Sequence, residues 1–253
     1  MIKISVSIIT LNEEKNIARC LESVKGVADE VVVVDSFSID KTKDICLQYG
    51  VKFIEQTFLG YVEQKNFADA QAENDWILSL DADEELSEKL KKEILAIKNT
   101  LTADAYEMPR MTNYIGKWIR HTDWYPDRKI RLYNRKKAQW QGQSLHEQLT
   151  IHDDAKLIKL KGDILHYSYY SIHQHIAQFN KFTEIGAKEA VQKGKKAPLY
   201  KVFINPVWKF IYSYFFRLGF LDGYKGFLVC AISAFATFCK YIKMRELWRE
   251  TKK

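Results

Sequence analysis

The sequence predicts an α/β fold, with a mostly parallel sheet flanked by helices and a C-terminal helical appendage. Three observations predict it. Over the first hundred residues the apolar pattern alternates between short strand-like runs and segments of helical spacing. The run EVVVVD (Glu30 to Asp35) is continuously apolar up to its closing acid, as a parallel strand covered on both faces should be. Beyond Tyr170 the strand signal stops, and long segments of helical periodicity run to the end.

The elements follow in order. ISVSIITL (Ile4 to Leu11) reads as a strand and Glu13 to Lys25 as a helix. After the Glu30–Asp35 strand, a helix over Thr42 to Tyr49 stops at Gly50, a common C-terminal helix signal. VKFIE (Val51 to Glu55) is a third strand and Gly60 to Ala72 a third helix. WILSL (Trp76 to Leu80) is a fourth strand ending in Asp81-Ala82-Asp83, with a helix over Ser87 to Lys98. Such alternation builds a parallel sheet whose ligands bind beyond the carboxyl ends of its strands, where Asp35 and Asp81 both fall. From Ala103 to Tyr170 the segments are short, β-rich and aromatic. Helices are then expected over Ser171 to Lys193, with Ile172, Ile176, Phe179 and Ile185 on the apolar face, over Val202 to Leu218 and over Gly223 to Leu247.

Composition excludes several classes. An apolar fraction of 47% with 28% charged residues is that of a globular chain, not a disordered one. Cys20, Cys46, Cys230 and Cys239 lack metal-ligand spacing and read as small buried residues in a reducing compartment. No basic region followed by a long apolar stretch opens the chain, and Phe227 to Cys239 is shorter than the ~20 residues of a span, so a cytoplasmic location is expected. The net charge of +7 is uneven: residues 176–253 carry +10 and the first 175 carry −3. A basic tail rich in Phe, Tyr and Trp points to peripheral contact with an anionic membrane surface, to packing on the catalytic domain or to a dimer interface. Its aromatic residues are too densely apolar for a solvated nucleic-acid groove, so no nucleic acid is expected.

Asp81 and Asp83 carry the main chemical signal. Residues i and i+2 of an extended chain point to one side, so both carboxylates can face one cavity and hold a hard cation such as Mg²⁺ or Mn²⁺, whose shell substrate phosphates complete. The competing reading is an acidic turn opening a helix, with Glu84 and Glu85 suiting its dipole. Asp35 can accept hydrogen bonds from a base or a ribose. Glu13 is either a second nucleotide contact or a first-turn helix carboxylate. Arg128 and Arg131, in YPDRKIRLYNR, suit phosphate or acceptor, or else pair with nearby acids. His173 and His175 point in different directions on a helix and do not form a metal pair, while His166 is either a core histidine or a further metal ligand.

In order along the chain, ISVSIITLNEEKNI, EVVVVDSFSIDKT, GYVEQKNFA, DWILSLDADEEL and LHEQL resemble the inverting family 2 glycosyltransferases of the GT-A, Rossmann-like fold. The resemblance is to the small bacterial branch that includes lipopolysaccharide-core β-glucosyltransferases, in which FFRLGFLDGYKGF also recurs. It implies a catalytic domain over residues 1–170, with a nucleotide-sugar half to about residue 100 and an acceptor half to 170, and a separate 171–253 region. It also implies a UDP-type donor (glucose among the candidates) and a saccharide or lipid-linked acceptor at the inner face of a bacterial membrane. By position, Asp35 recognises the nucleoside, Lys65 approaches base or diphosphate, Asp83 is the stronger metal ligand and Asp81 faces donor or metal. Glu147 falls where the family keeps its catalytic base, although many relatives have a Glu-Asp pair where this chain has His146-Glu147. Inverting transfer needs one base and positive charge on the leaving diphosphate, and no second carboxylate nucleophile. Asp127 is the reserve base. The rivals are a sugar nucleotidyltransferase, disfavoured because no glycine precedes Gly26, and a non-catalytic nucleotide-sugar-binding protein.

Overall fold

The computed structural model describes residues 2–142 and 147–250. In chain order the elements are β1 (Ile4–Thr10), α1 (Ile17–Ser23), β2 (Glu30–Asp35), α2 (Thr42–Gln48), β3 (Lys52–Glu55), α3 (Tyr61–Ala70), β4 (Trp76–Asp81), β5 (Glu84–Leu86) and α4 (Glu88–Ile97). They continue with β6 (Ala105–Tyr114), β7 (Lys117–Trp118), β8 (Asp127–Asn134), β9 (Ala138–Gln141), β10 (Gln148–Ile151), β11 (Leu157–Lys159) and β12 (Ile164–Tyr169). The helices α5 (Ile172–Gln192), α6 (Leu199–Ile211) and α7 (Gly223–Glu250) close the described chain.

The main sheet has the order β3-β2-β1-β4-β8-β6-β12-β5. Its β3-β2-β1-β4 portion is parallel, and β8 then joins β4 antiparallel. The alternation of side chains explains why this half is buried on both faces. Ile4, Val6 and Ile8 of β1 pack with Leu78 and Leu80 of β4 and Ile17 of α1, while Val32, Val34 and Ile77 point to the opposite face with Ala68 of α3 and Tyr133. This is the expected parallel sheet flanked by helices.

Residues Met1–Met111 and Asp127–Tyr167 form one compact unit; Thr112–Pro126 and Ser168–Lys253 form the other. The segment 112–126 thus groups with the C-terminal residues, which a division at 170 does not contain. In the second unit Asp222 fixes this segment by accepting from the Arg120 and His121 amides at 3.1 and 2.8 Å.

Several local expectations need correction. The first helix begins at Ile17, not Glu13, because Glu13 and Glu14 turn their amides to Thr42 and Asp40 across the neighbouring loop. Glu84 lies in a short strand antiparallel to β12, not in a helix turn; α4 is capped by Ser87, whose hydroxyl accepts from the Leu90 amide. The helix expected to Leu218 ends at Ile211, followed by a π-helical turn over Tyr212–Phe216. In α5 the packed side chains include Thr183, Ala187 and Ala190, whereas Ile172 and Ile176 are exposed. Small residues face α7 there; a Cβ on Gly186 would sit 3.3 Å from the Lys240 ammonium. The four cysteines are free, and all but half-buried Cys239 are buried. His173 is exposed and His175 buried, so the two do diverge. Burial pushes His175 down to about 4, and it meets the Tyr114 hydroxyl at 3.0 Å.

Candidate active site

The site is assembled at the carboxyl ends of β1, β2 and β4. Thr10 and Asp35 are register partners, so the loops after β1 and β2 emerge side by side. The Asn12 amide donates to Ser38 Oγ at 2.7 Å and the Ile39 amide to Asn12 Oδ1 at 2.9 Å. Asn12 and Phe37 adopt left-handed φ values of 55° and 63°, a conformation that Asn tolerates and Phe adopts only where the surroundings impose it. Asp35 is buried and accepts from the Ser38 amide at 2.7 Å and its hydroxyl at 2.5 Å. Its carboxylate therefore shapes the β2 loop, which Gln64 of α3 joins through Ser36.

After β4 the chain does not stay extended. Ala82 and Asp83 form a turn, and the Asp81 amide donates to Glu84 Oε2 at 3.0 Å. The same-side rule for residues i and i+2 consequently fails here, and the two aspartates have different partners. Asp83 Oδ2 lies 3.1 Å from His166 Nε2. Asp81 accepts from Lys65 Nζ at 2.7 Å and from Arg131 Nη2 at 2.8 Å, one cation on each oxygen. Burial alone would raise the Asp81 carboxyl, but Arg131 and Lys65 hold it well below the usual carboxylate range.

Arg131 reaches this position through a bulge. Tyr106 pairs with Leu132 and Glu107 with Ile130, so Arg131 is the extra residue of β8, and bulges re-aim side chains in this way. Its Nη2 also meets Glu84 Oε1 at 2.9 Å. Arg110 Nη1 donates to the same Glu84 oxygen at 3.1 Å, and its Nε and Nη2 donate to Asp127 Oδ2 at 3.0 and 2.6 Å. Lys65 Nζ lies 4.4 Å from the centre of the Trp140 ring, a cation–π distance. Arg131 is 3% exposed, yet its Nε and Nη1 have no hydrogen-bond partner among the described residues. A buried guanidinium with two unmatched donors beside a buried ammonium is suited to an anion.

The other predicted residues are distributed around this core. Burial raises the Glu13 carboxyl above the ordinary value against the lowering effect of the hydrogen bond from Asn16, and the charges of Asp83 and Asp40 add to the rise. Glu147 is half-buried at the entry to β10. Burial raises the hydroxyl of Tyr61 at the start of α3, and the charges of Glu147, Asp81 and Asp83 raise it further. His146 lies outside the described residues. Arg128 stands apart and pairs with Glu107 at 3.7 Å. Burial would raise Asp127, but Arg110 and Lys129 hold it below the usual range, which makes it a weak proton acceptor. Sequence reasoning missed Glu84, Arg110 and Trp140 because their partners are distant in the chain.

Beneath Lys65 a second polar group is buried. Asp69 accepts from the Tyr133 hydroxyl at 2.5 Å, which in turn accepts from Trp140 Nε1 at 2.8 Å. Burial moves the Asp69 carboxyl from 3.8 up to about 6. Between those values the native state holds a proton that the unfolded chain releases, so stability falls as pH rises through this window. Relative to Asp69→Asn, the parent should lose about 3 kcal/mol between about pH 4 and pH 6 in urea unfolding. Parallel stability curves would show that Asp69 does not titrate there.

The donor set near Asp83 is a partial match to a divalent cation of the Mg²⁺ or Mn²⁺ type, through its carboxylate oxygens. It pairs a hard carboxylate with an imidazole, and such cations complete a sparse protein shell with water and substrate phosphate. Asp81 fits less well, with both oxygens already on cations. No group of three His, Cys, Asp or Glu side chains suited to a metal occurs among the described residues.

Comparison with known proteins identifies the family. The family model described as glycosyl transferase family 2 matches residues 5–152. A Rickettsia typhi protein described as an uncharacterized glycosyltransferase is 38% identical over 98% of this chain and 88% of its own length. The lipopolysaccharide core biosynthesis glycosyltransferase LpsC of Rhizobium meliloti is 29% identical over 96% of this chain and 93% of its own. Among solved structures, S. aureus TarS 1-349 in complex with UDP-GlcNAc aligns over 99% of this chain and 92% of its own, with 16% identity and a TM-score of 0.47. The sheet, the loops beyond its strands and the family match over more than half of the chain lead to one assignment: the chain is a GT-A glycosyltransferase and belongs to glycosyl transferase family 2.

Proposed function

We propose that the protein transfers a sugar, with inversion, from a UDP-type donor to a saccharide or lipid-linked acceptor in cell-envelope glycan synthesis at the inner face of a bacterial membrane. The observation that carries the donor half is the Lys65–Asp81–Arg131 group, in which two buried cations flank a partly exposed carboxylate and Arg131 Nε and Nη1 are unmatched beside the β4 end. Asp81 fixes both cations at the β4 end, and preorganised charge of this kind stabilises a leaving group. The loop shaped by Asp35 takes the nucleoside, with Glu13 at its border. Arg128, outside this cluster, serves the acceptor side. Asp83 and His166 would hold Mg²⁺ or Mn²⁺, which when bound supplies further positive charge to the departing diphosphate. Glu147 accepts the acceptor hydroxyl proton as that oxygen attacks the anomeric carbon and the diphosphate leaves from the opposite face. The envelope-glycan setting is supported by the similarity to LpsC.

A panel of nucleotide-sugars in a thermal-shift assay, with and without Mn²⁺, tests the donor reading, because a ligand selective for the native state raises stability. One UDP-sugar should stabilise the chain and be consumed with release of nucleoside diphosphate. Release of pyrophosphate, or binding without turnover across many acceptors, would overturn the reading. Asp83→Asn should abolish most of the Mn²⁺-linked gain in donor affinity, since a neutral amide is a poorer ligand for a hard cation. An unchanged Mn²⁺ effect in titration calorimetry would remove Asp83 as a ligand.

A further inference from the structure

The second unit turns an apolar face of α6 outward. Leu199, Phe203 and Val207 recur four residues apart, and Tyr200, Ile204 and Trp208 repeat the pattern one residue on, so the six form a continuous stripe. Phe203, Ile204 and Val207 are about 60% exposed and Trp208 is 55% exposed, whereas Val202 on the inner side is buried. Phe215, Phe216 and Leu221 extend the exposed apolar surface past the π-helical turn. Beside the stripe, a groove of about 500 Å³ runs between α6 and α7, lined by apolar side chains that include Val202, Pro206, Phe210, Ala234 and Phe238. Contiguous apolar surface on this scale marks an interaction site.

Charge identifies the occupant. From Leu199 to Lys225 the cations are Lys201, Lys209, Arg217 and Lys225, of which Lys209 pairs with Asp123 and Arg217 donates to the Thr122 and Tyr125 carbonyls, and the acid within the segment, Asp222, is buried against His121. An apolar stripe within a cationic segment complements a lipid surface with anionic headgroups.

Its depth is set by α7. The stretch Gly219–Glu250 is long and apolar enough to cross a membrane by length and composition, and its most apolar 18 residues have mean hydropathy 1.5. However, the uncharged run of this helix between Lys225 and Lys240 measures only about 21 Å at ~1.5 Å per residue, short of the ~30 Å hydrocarbon core. Beyond Lys240 the helix is fastened to α5: Lys243 Nζ donates to the Asn180 carbonyl and to Thr183 Oγ1 at 2.9 and 3.0 Å, and Met244 packs with Ala187 and Ala190. A crossing α7 would carry the exposed Lys181, Glu184 and Lys188 of α5 into hydrocarbon, which is costly.

We propose that α6 and the apolar part of α7 form a single-leaflet anchor for an anionic bilayer. The α6 stripe enters the hydrocarbon, a lipid acyl chain occupies the α6–α7 groove, and Lys201, Arg217 and Lys225 meet the headgroups. The proposal deepens, and rests on, the inner-membrane reading given above, but its test needs neither donor nor acceptor. Full-length protein is sedimented with phosphatidylcholine vesicles with and without phosphatidylglycerol. Binding should be stronger on the anionic vesicles by on the order of tenfold or more. Ile204→Glu combined with Val207→Glu should lower it by a similar factor with an unchanged melting temperature, because both side chains already face outward. Acyl-chain-brominated lipid should quench fluorescence in the parent and much less in Trp208→Phe. Vesicle binding that survives the double substitution overturns the proposal. So does absence of binding with a stable dimer in solution, which assigns the face to a second copy, or retention in membranes through alkaline carbonate, which assigns α7 to a span. If vesicle binding holds while no sugar is transferred, only the catalytic reading fails.

Discussion

Glu147→Gln is expected to leave donor affinity near that of the parent while transfer falls by about 10²–10⁴, or roughly 3–5 kcal/mol of barrier. The substitution keeps size and shape and removes the group that accepts a proton, so it separates binding from chemistry. Glu147 directly precedes Gln148, whose register partner is Gln141, so the β9–β10 pair holds the entry to this position. Its charge acts on Tyr61 along with those of Asp81 and Asp83, which ties it electrostatically to the β4 end. A single displacement requires only one such base. The reserve candidate is weaker on physical grounds: Arg110 and Lys129 hold Asp127 below the usual carboxylate range, and Arg110 takes its Oδ2 twice. Donor affinity by calorimetry and nucleoside diphosphate release with acceptor present decide the matter. Near-parental transfer in Glu147→Gln, with a large loss in Asp127→Asn, would reverse the two roles.

The parallel half of the sheet was legible because its signal is local. Four successive valines bounded by Glu30 and Asp35 can be satisfied only where both faces are covered, and Val33 and Val34 do enter opposite cores. The strand ends identified the neighbourhood of Asp35 and Asp81 for the same reason. What was not legible depends on partners far along the chain. Glu84 looked like a helix-turn acid, yet two arginines, 26 and 47 residues away, converge on it. Arg131 owes its aim to one extra residue in β8, and no periodicity announces which residue of a strand will be the bulge. The extended-chain rule for Asp81 and Asp83 failed because a turn intervenes, stabilised by the very Glu84 that the pattern assigned elsewhere. In α5 the larger apolar residues suggested one face, but close approach to α7 selected alanines and Gly186.

Arg131→Met should produce the largest loss of stability, about 3 kcal/mol at neutral pH, because it takes one of two cationic partners from buried Glu84 and from partly buried Asp81. Nη2 of Arg131 serves both Asp81 and Glu84, so a single substitution weakens two ion pairs at once. Lys65 still holds Asp81 and Arg110 still holds Glu84, which keeps the expected cost finite. The sign of the pH dependence distinguishes this account from simple loss of packing. In the parent, Asp81 has a lowered folded value, so its contribution is present above the unfolded value and lost only as pH falls through the folded one. Removing Arg131 removes the principal cause of that lowering, so in the variant protonation begins at higher pH and relieves the less fully compensated charge. The gap between parent and variant should therefore be widest at neutral pH and narrow as acid is added, in urea unfolding followed at several pH values. Adding Asp81→Asn and Glu84→Gln to Arg131→Met should recover part of the loss, since neutral amides cost less to bury than unpaired charges. A gap that is constant with pH and is not reduced by those two changes would mean that Arg131 supports the fold by filling space, and that the charge cluster at the β4 end is not what holds it.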